Sequence, residues 1–143
     1  MALIVKKSRI PHSGMGLFTT KALKKDSKVI EYRGEIIGYN EYRKRARKEQ
    51  DHYLFYLRKE LCIDAMHTPH YKARYANDAM GFTRVKGLKN NCDYVIFGDK
   101  CFIVAARDIK AGEEIFVNYT AAYWKSMRLR LKKQGQTHRK ATR

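Results

Sequence analysis

The chain has 143 residues, 44% of them hydrophobic, which suits one domain with its own core and excludes wholesale disorder. Its 31 Lys and Arg against 14 acids leave a net charge of +17, a balance that attracts polyanions such as nucleic acid but equally serves a soluble surface. No apolar run approaches the ~20 residues that span a bilayer, and Met1-Ala2-Leu3-Ile4-Val5 lacks the order of a signal peptide, so an intracellular protein with no membrane partner is expected.

Residues 4–18 read as two short strands around a Pro11-His12-Ser13-Gly14 turn, the second ending at Leu17-Phe18. A turn at Lys24-Lys25-Asp26 leads into Val29-Ile30-Glu31-Tyr32, and Gly34 punctuates the way to Ile36-Ile37. The run NEYRKRARKEQ, Asn40 to Gln50, has no β-branched residue. It predicts a helix capped by Asn40, polar on nearly every face and weakly packed, within an inserted segment of about residues 39–52. Residues 53–57 and 61–63 read as a hairpin, 71–81 as mixed, and 85–91 as a loop. Tyr94 to Phe97, Gly98-Asp99, then Cys101 to Ala105 give a second hairpin. A Lys110-Ala111-Gly112-Glu113 turn precedes a strand at Ile115-Phe116-Val117.

Beyond Tyr119 the run AAYWKSMRLRLKKQ predicts a helix, and residues 125–143 carry eight Lys or Arg and no acid, forming a basic helix and mobile tail. Three cysteines, Cys62, Cys92 and Cys101, contain no CxxC pair. They cannot build a four-cysteine zinc site or an even disulfide framework, so no metal is expected and all three read as reduced core residues. These features alone describe a small, mainly β, basic protein.

Three separated segments narrow the reading. They are Gly14-Met15-Gly16-Leu17-Phe18 followed by Glu31-Tyr32-Arg33-Gly34-Glu35; Ala73-Arg74-Tyr75-Ala76-Asn77-Asp78-Ala79 with Asn91-Cys92 beyond it; and Arg107-Asp108-Ile109-Lys110-Ala111-Gly112-Glu113-Glu114-Ile115 running into Asn118-Tyr119. In this order they resemble the SET domain of protein-lysine methyltransferases, over about residues 3–124. The resemblance implies a SET domain at 1–124 with short helices and several small β-sheets, its Asn77 and Tyr119 segments meeting in a knot-like crossing, and a basic extension at 125–143.

It also implies S-adenosylmethionine as methyl donor, S-adenosylhomocysteine as product, and a protein substrate presenting a lysine. Gly14, Met15 and Gly16 would let backbone approach the donor closely. Asn77 and Asp78 stand where the family usually has Asn-His, whose backbone reads the adenine edge; Asp78-Ala79-Met80 departs from the usual His-Ser-Cys. Arg74 aligns with an arginine near the donor, with a bracing surface charge as its other reading. Tyr119 aligns with the catalytic tyrosine, and Tyr32, Tyr53 and Tyr94 with aromatics of the lysine channel. For Tyr53 a plain strand position is the competing assignment. Tyr94 matches a position that limits product size, implying a bias to mono- or dimethylation. Tyr123-Trp124 resembles the ending of small stand-alone members, where Trp124 would stack on adenine or else anchor a terminal helix.

No cysteine follows Cys101, so the zinc cluster by which many members close the channel is missing, and a second subunit, as in a homodimer, could close it instead. The basic run Arg43-Lys44-Arg45-Ala46-Arg47-Lys48 and the C-terminal segment suit nucleic acid through phosphate contacts. The family also points by analogy to a histone-like substrate. The alternative function is a SET-like module that binds nucleic acid without catalysis.

Overall fold

The computed structural model describes residues 2–48, 53–58, 60–119 and 129. Its elements are β1 Leu3–Lys7, β2 Met15–Thr19, β3 Lys28–Glu31, β4 Glu35–Ile37, α1 Tyr39–Arg47, β5 Leu54–Arg58, β6 Leu61–Asp64, a 3-10 turn Lys72–Tyr75, β7 Cys92–Phe97, β8 Lys100–Ala105 and β9 Glu114–Ile115. The strands form three small antiparallel sheets ordered β1-β2-β9, β3-β8-β7 and β4-β6-β5. This is the expected mainly β architecture. The expected basic C-terminal helix and tail, together with Tyr123 and Trp124, lie outside the described residues.

The sheets meet on one core. Leu17, Ile103, Ile109, Ile115 and Val117 are all within 1% of complete burial, so five branched side chains from sequence-distant segments close it. Cys62, Cys92 and Cys101 are free and buried there as small apolar groups. Burial, the largest cause, pushes the Cys92 and Cys101 thiols up to about 12, which leaves them unreactive near neutrality.

Two parallel bridges, Asn77 to Phe116 and Cys92 to Val117, lay the 77, 92 and 116–117 segments side by side. The Val117 N–H donates to the Asn77 carbonyl at 2.8 Å, and the Asn91 and Cys92 N–H groups share the Phe116 carbonyl at 3.0 and 2.9 Å. The buried Asn91 amide completes the lacing, donating to the Glu114 carbonyl and accepting from the Phe116 N–H, each at 2.9 Å.

Helix α1 corrects one expectation. Its N-cap is Gly38, in an extended conformation, and no side chain caps it; Asn40 lies inside the first turn. The helix buries no residue, in keeping with its polar sequence. Arg45 fastens it instead, to Glu35 (3.0 Å) and Asp64 (2.6 Å), while pairing with Glu41 (2.9 Å) within the helix. Asp64 is 2% exposed, so this contact neutralises a buried carboxylate. The Arg45 hydrogen bond is also the main reason the Glu35 carboxyl lies below its usual range.

Candidate active site

Gly14 adopts a φ of 65°, the left-handed region that suits glycine, and open space lies where its Cβ would be. Gly16 is constrained differently. A Cβ there would overlap Glu114 Oε2, so a side chain at 16 would push the buried carboxylate off its hydrogen-bond partners. Glu114, 1% exposed, accepts from Ser8 Oγ at 2.7 Å and from the Arg9 N–H at 2.8 Å. Strand β9 thereby braces the turn that carries Met15. Across from that turn, Asn77 Nδ2 donates to the Met15 carbonyl at 2.9 Å, joining two of the three sequence segments directly.

Asp78 is buried, and its carboxylate is a junction. Oδ1 accepts from the Met80 N–H (2.8 Å) and from Asn90 Nδ2 (2.9 Å), while Oδ2 accepts from the Tyr119 N–H (3.0 Å). An acidic residue in place of the family's usual histidine therefore carries its own acceptors to the main chain of Tyr119.

Tyr32, just past the end of β3, Tyr94 of β7 and Tyr119 of the segment after β9 come together. Tyr94 stacks on Tyr119 with centroids 6.3 Å apart and meets Tyr32 edge-on at 6.0 Å. Phe55 of β5 joins them, 4.9 Å from Tyr94 and 5.7 Å from Tyr32. The hydroxyl of Tyr119 donates to the Ala76 carbonyl in a short hydrogen bond, and that of Tyr32 donates to the Tyr53 carbonyl at 3.0 Å. Both rings are thus held in fixed orientations. Burial, the largest cause, raises the Tyr32 and Tyr94 phenols above their ordinary range, with neighbouring acidic and phenolic groups adding to it. Both stay neutral wherever proteins normally work.

Tyr53 borders this cluster through its main chain. Its carbonyl accepts from Tyr32 and from the Ala65 N–H, while its ring lies under the Arg74 guanidinium at 4.2 Å. Arg74 also donates to the Ala65 and Met66 carbonyls at 2.8 and 2.9 Å, bracing the 3-10 turn against the end of β6. Phe55 escaped the sequence reading, although strand alternation would have found it: residue 55 shares a face with residue 53. The partners of Glu114 and Asp78 carried no comparable signal. Among the described residues no group of three His, Cys, Asp or Glu could hold a metal ion.

The arrangement can hold an alkyl amine among neutral rings, next to the Asn77–Met15 contact. Comparison with known proteins identifies the family. The model of the SET domain family matches residues 14–120. Histone-lysine N-methyltransferase EZH2 of Chaetomium thermophilum is 31% identical over 128 residues, 82% of this chain and 8% of that protein. N-lysine methyltransferase KMT5A of Xenopus tropicalis is 29% identical over 126 residues, 80% of this chain and 35% of that protein. Among solved structures, a humanized mutant of the Chaetomium thermophilum Polycomb Repressive Complex 2 bound to the inhibitor GSK126 aligns with a TM-score of 0.65 at 30% identity, over 82% of this chain and 15% of that one. The chain thus spans about a third or less of the length of these relatives.

Proposed function

This chain belongs to the SET-domain family, and from that premise we propose that it transfers the methyl group of S-adenosylmethionine to a lysine side chain of a protein. The observation that carries the reading is the cluster of Tyr32, Phe55, Tyr94 and Tyr119, joined to the Asn77–Met15 contact through the Asp78 carboxylate. A histone-like substrate is part of the proposal, since the names of the relatives speak of histone and lysine.

The residues present fit the methyl donor. Glycine at 14 leaves open space beside the Met15 main chain, and the partly exposed Asn77 borders it. Gly14, Met15, Gly16, Asn77 and the Asp78 main chain would hold the donor; Tyr123 and Trp124, the other residues expected to meet it, lie outside the described residues. When bound, it supplies an electrophilic methyl carbon on a sulfonium.

The work left to the protein is to present a neutral, aligned amine. A lysine of ordinary pKa, about 10.4, costs about 4.6 kcal/mol to neutralise at pH 7. Attraction of the ammonium to ring faces, about 2 kcal/mol when desolvated, draws the side chain in. Loss of hydration inside the rings then favours the neutral amine. Tyr32 and Tyr94, held above their ordinary range, are no bases at neutral pH, so the proton departs to water. Tyr119 and Tyr32 donate to carbonyls, and a phenol so engaged presents its oxygen as an acceptor that can orient the amine.

The test is calorimetric titration with S-adenosylmethionine and S-adenosylhomocysteine, followed by transfer of labelled methyl to histone-like proteins. Saturable binding that Asn77→Ala removes, with label appearing on lysine, is the expected result. Folded protein that binds neither compound would end this reading and favour the non-catalytic module.

A further inference from the structure

Helix α1 and strand β5 hold a second aromatic cluster that the proposed chemistry does not use. Tyr39 and Tyr42 stack with centroids 6.2 Å apart and planes 14° from parallel, and Tyr56 stands edge-on to both at 6.1 and 5.8 Å. Tyr39 and Tyr56 are 39% and 44% exposed, a large apolar surface to leave in water unless something covers it.

Its surroundings say what kind of partner fits. Arg43 lies over the Tyr39 ring at 5.8 Å, and Arg47 follows one turn further along the same helix face. Lys44 and Lys48 are also exposed, and none of these four cations takes part in an ion pair among the described residues. Glu35, Glu41 and Asp64 share the single Arg45, and the Glu60 carboxylate lies beside Gly38 at the start of α1, so nearby acids offset part of this charge while Arg43, Lys44, Arg47 and Lys48 themselves stay outside any ion pair among the described residues. Glu49 and Asp51 follow in sequence, outside the described residues.

We propose that this face binds single-stranded nucleic acid, with bases stacking on Tyr39 and Tyr56 and phosphates meeting Arg43, Lys44, Arg47 and Lys48. Flat rings exposed among unpaired cations are what a single strand needs, because its bases offer π-faces that a duplex keeps inside its stack. An acidic protein would engage the cations but would have no use for the rings as stacking platforms. The proposal is independent of the methyl-transfer reading. It would, however, place a nucleic-acid-bound basic protein near the channel, since Tyr56 is the immediate neighbour of Phe55.

Binding of the full chain to a fluorescein-labelled oligothymidylate of about 20 nucleotides, followed by anisotropy across a salt series, tests the idea. Tyr39→Ala with Tyr56→Ala should weaken binding by roughly tenfold or more, while Tyr39→Phe with Tyr56→Phe stays within about twofold. Arg43→Gln with Arg47→Gln, on exposed side chains that leave the fold intact, should lower the salt slope by about 1.4. A duplex of the same length should compete poorly. Alanine variants that bind as tightly as the parent would overturn the proposal and assign the binding to residues 125–143. So would absence of binding, or a raised KM for a free lysine peptide with oligonucleotide affinity unchanged, which would make the face a protein-docking surface.

Discussion

Strand β5 separates two tyrosine clusters of opposite character. Phe55 turns toward Tyr32, Tyr94 and Tyr119, where the Tyr32 and Tyr119 hydroxyls are tied to carbonyls and burial raises the Tyr32 and Tyr94 phenols. Tyr56, one residue on, turns toward Tyr39 and Tyr42 on the helix, where the rings stay in water among arginines and lysines. Ten tyrosines in 143 residues say nothing about this division. The pleat of one short strand makes it, sending consecutive side chains to opposite faces. The first cluster is largely shielded from water and the second open to it, so the two should respond to opposite kinds of change.

The largest difference should come from Tyr119→Phe. Losing its oriented hydroxyl should lower the methyl-transfer rate roughly 100-fold, as misplacement of a reacting group does, while oligonucleotide binding stays at the parental value. A rate within a few-fold of the parent would deny the buried cluster its special role. Next, Arg45→Met should cost about 2 kcal/mol in urea unfolding, because Asp64 keeps its charge without its partner, discounted for Arg45 being partly in water. Donor binding by calorimetry should survive this change, since Arg45 tethers only the helix side.

Tyr94→Phe removes one hydroxyl from the buried cluster and should shift product toward higher methylation about five- to tenfold, the worth of roughly 1 kcal/mol, by mass spectrometry of the substrate. The pH response follows from the same burial. Folded-state values of Tyr32 and Tyr94 above the ordinary 10.0 mean that the native state holds these protons more tightly than the unfolded chain. Their contribution is complete below about pH 10 and is lost as the pH climbs beyond it. Tyr32→Phe should flatten that alkaline fall by about 1 kcal/mol at pH 11 in urea titrations. Smallest of all, Tyr39→Ala with Tyr56→Ala should alter methyl transfer to a free lysine peptide by less than about twofold.

Much of the architecture was legible from turns and alternation. The two hairpins, the Lys24–Asp26 turn and the helical run appear where short-range signals put them, because those signals act within a few residues. The three motif segments likewise named Tyr32, Asn77 and Tyr119, which the fold brings together. Long-range pairings were not legible. Gly38 rather than Asn40 stands at the N-cap, and the helix is tied down by Arg45 reaching Asp64, 19 positions on. The junction at Asp78 joins residues 41 positions apart, and no local pattern announces where such a carboxylate will find its donors.

The packing of Glu114 beneath Gly16 reaches past this one molecule. The two positions lie nearly a hundred residues apart in the chain, yet neither can drift alone. A side chain at 16 displaces the carboxylate from Ser8 and Arg9 unless residue 114 is shortened, and a shortened residue at 114 draws the acceptor away from the same two partners. A lineage crossing from one solution to the other would pass through an intermediate worse than either end, so descendants should inherit the pair together or lose it together.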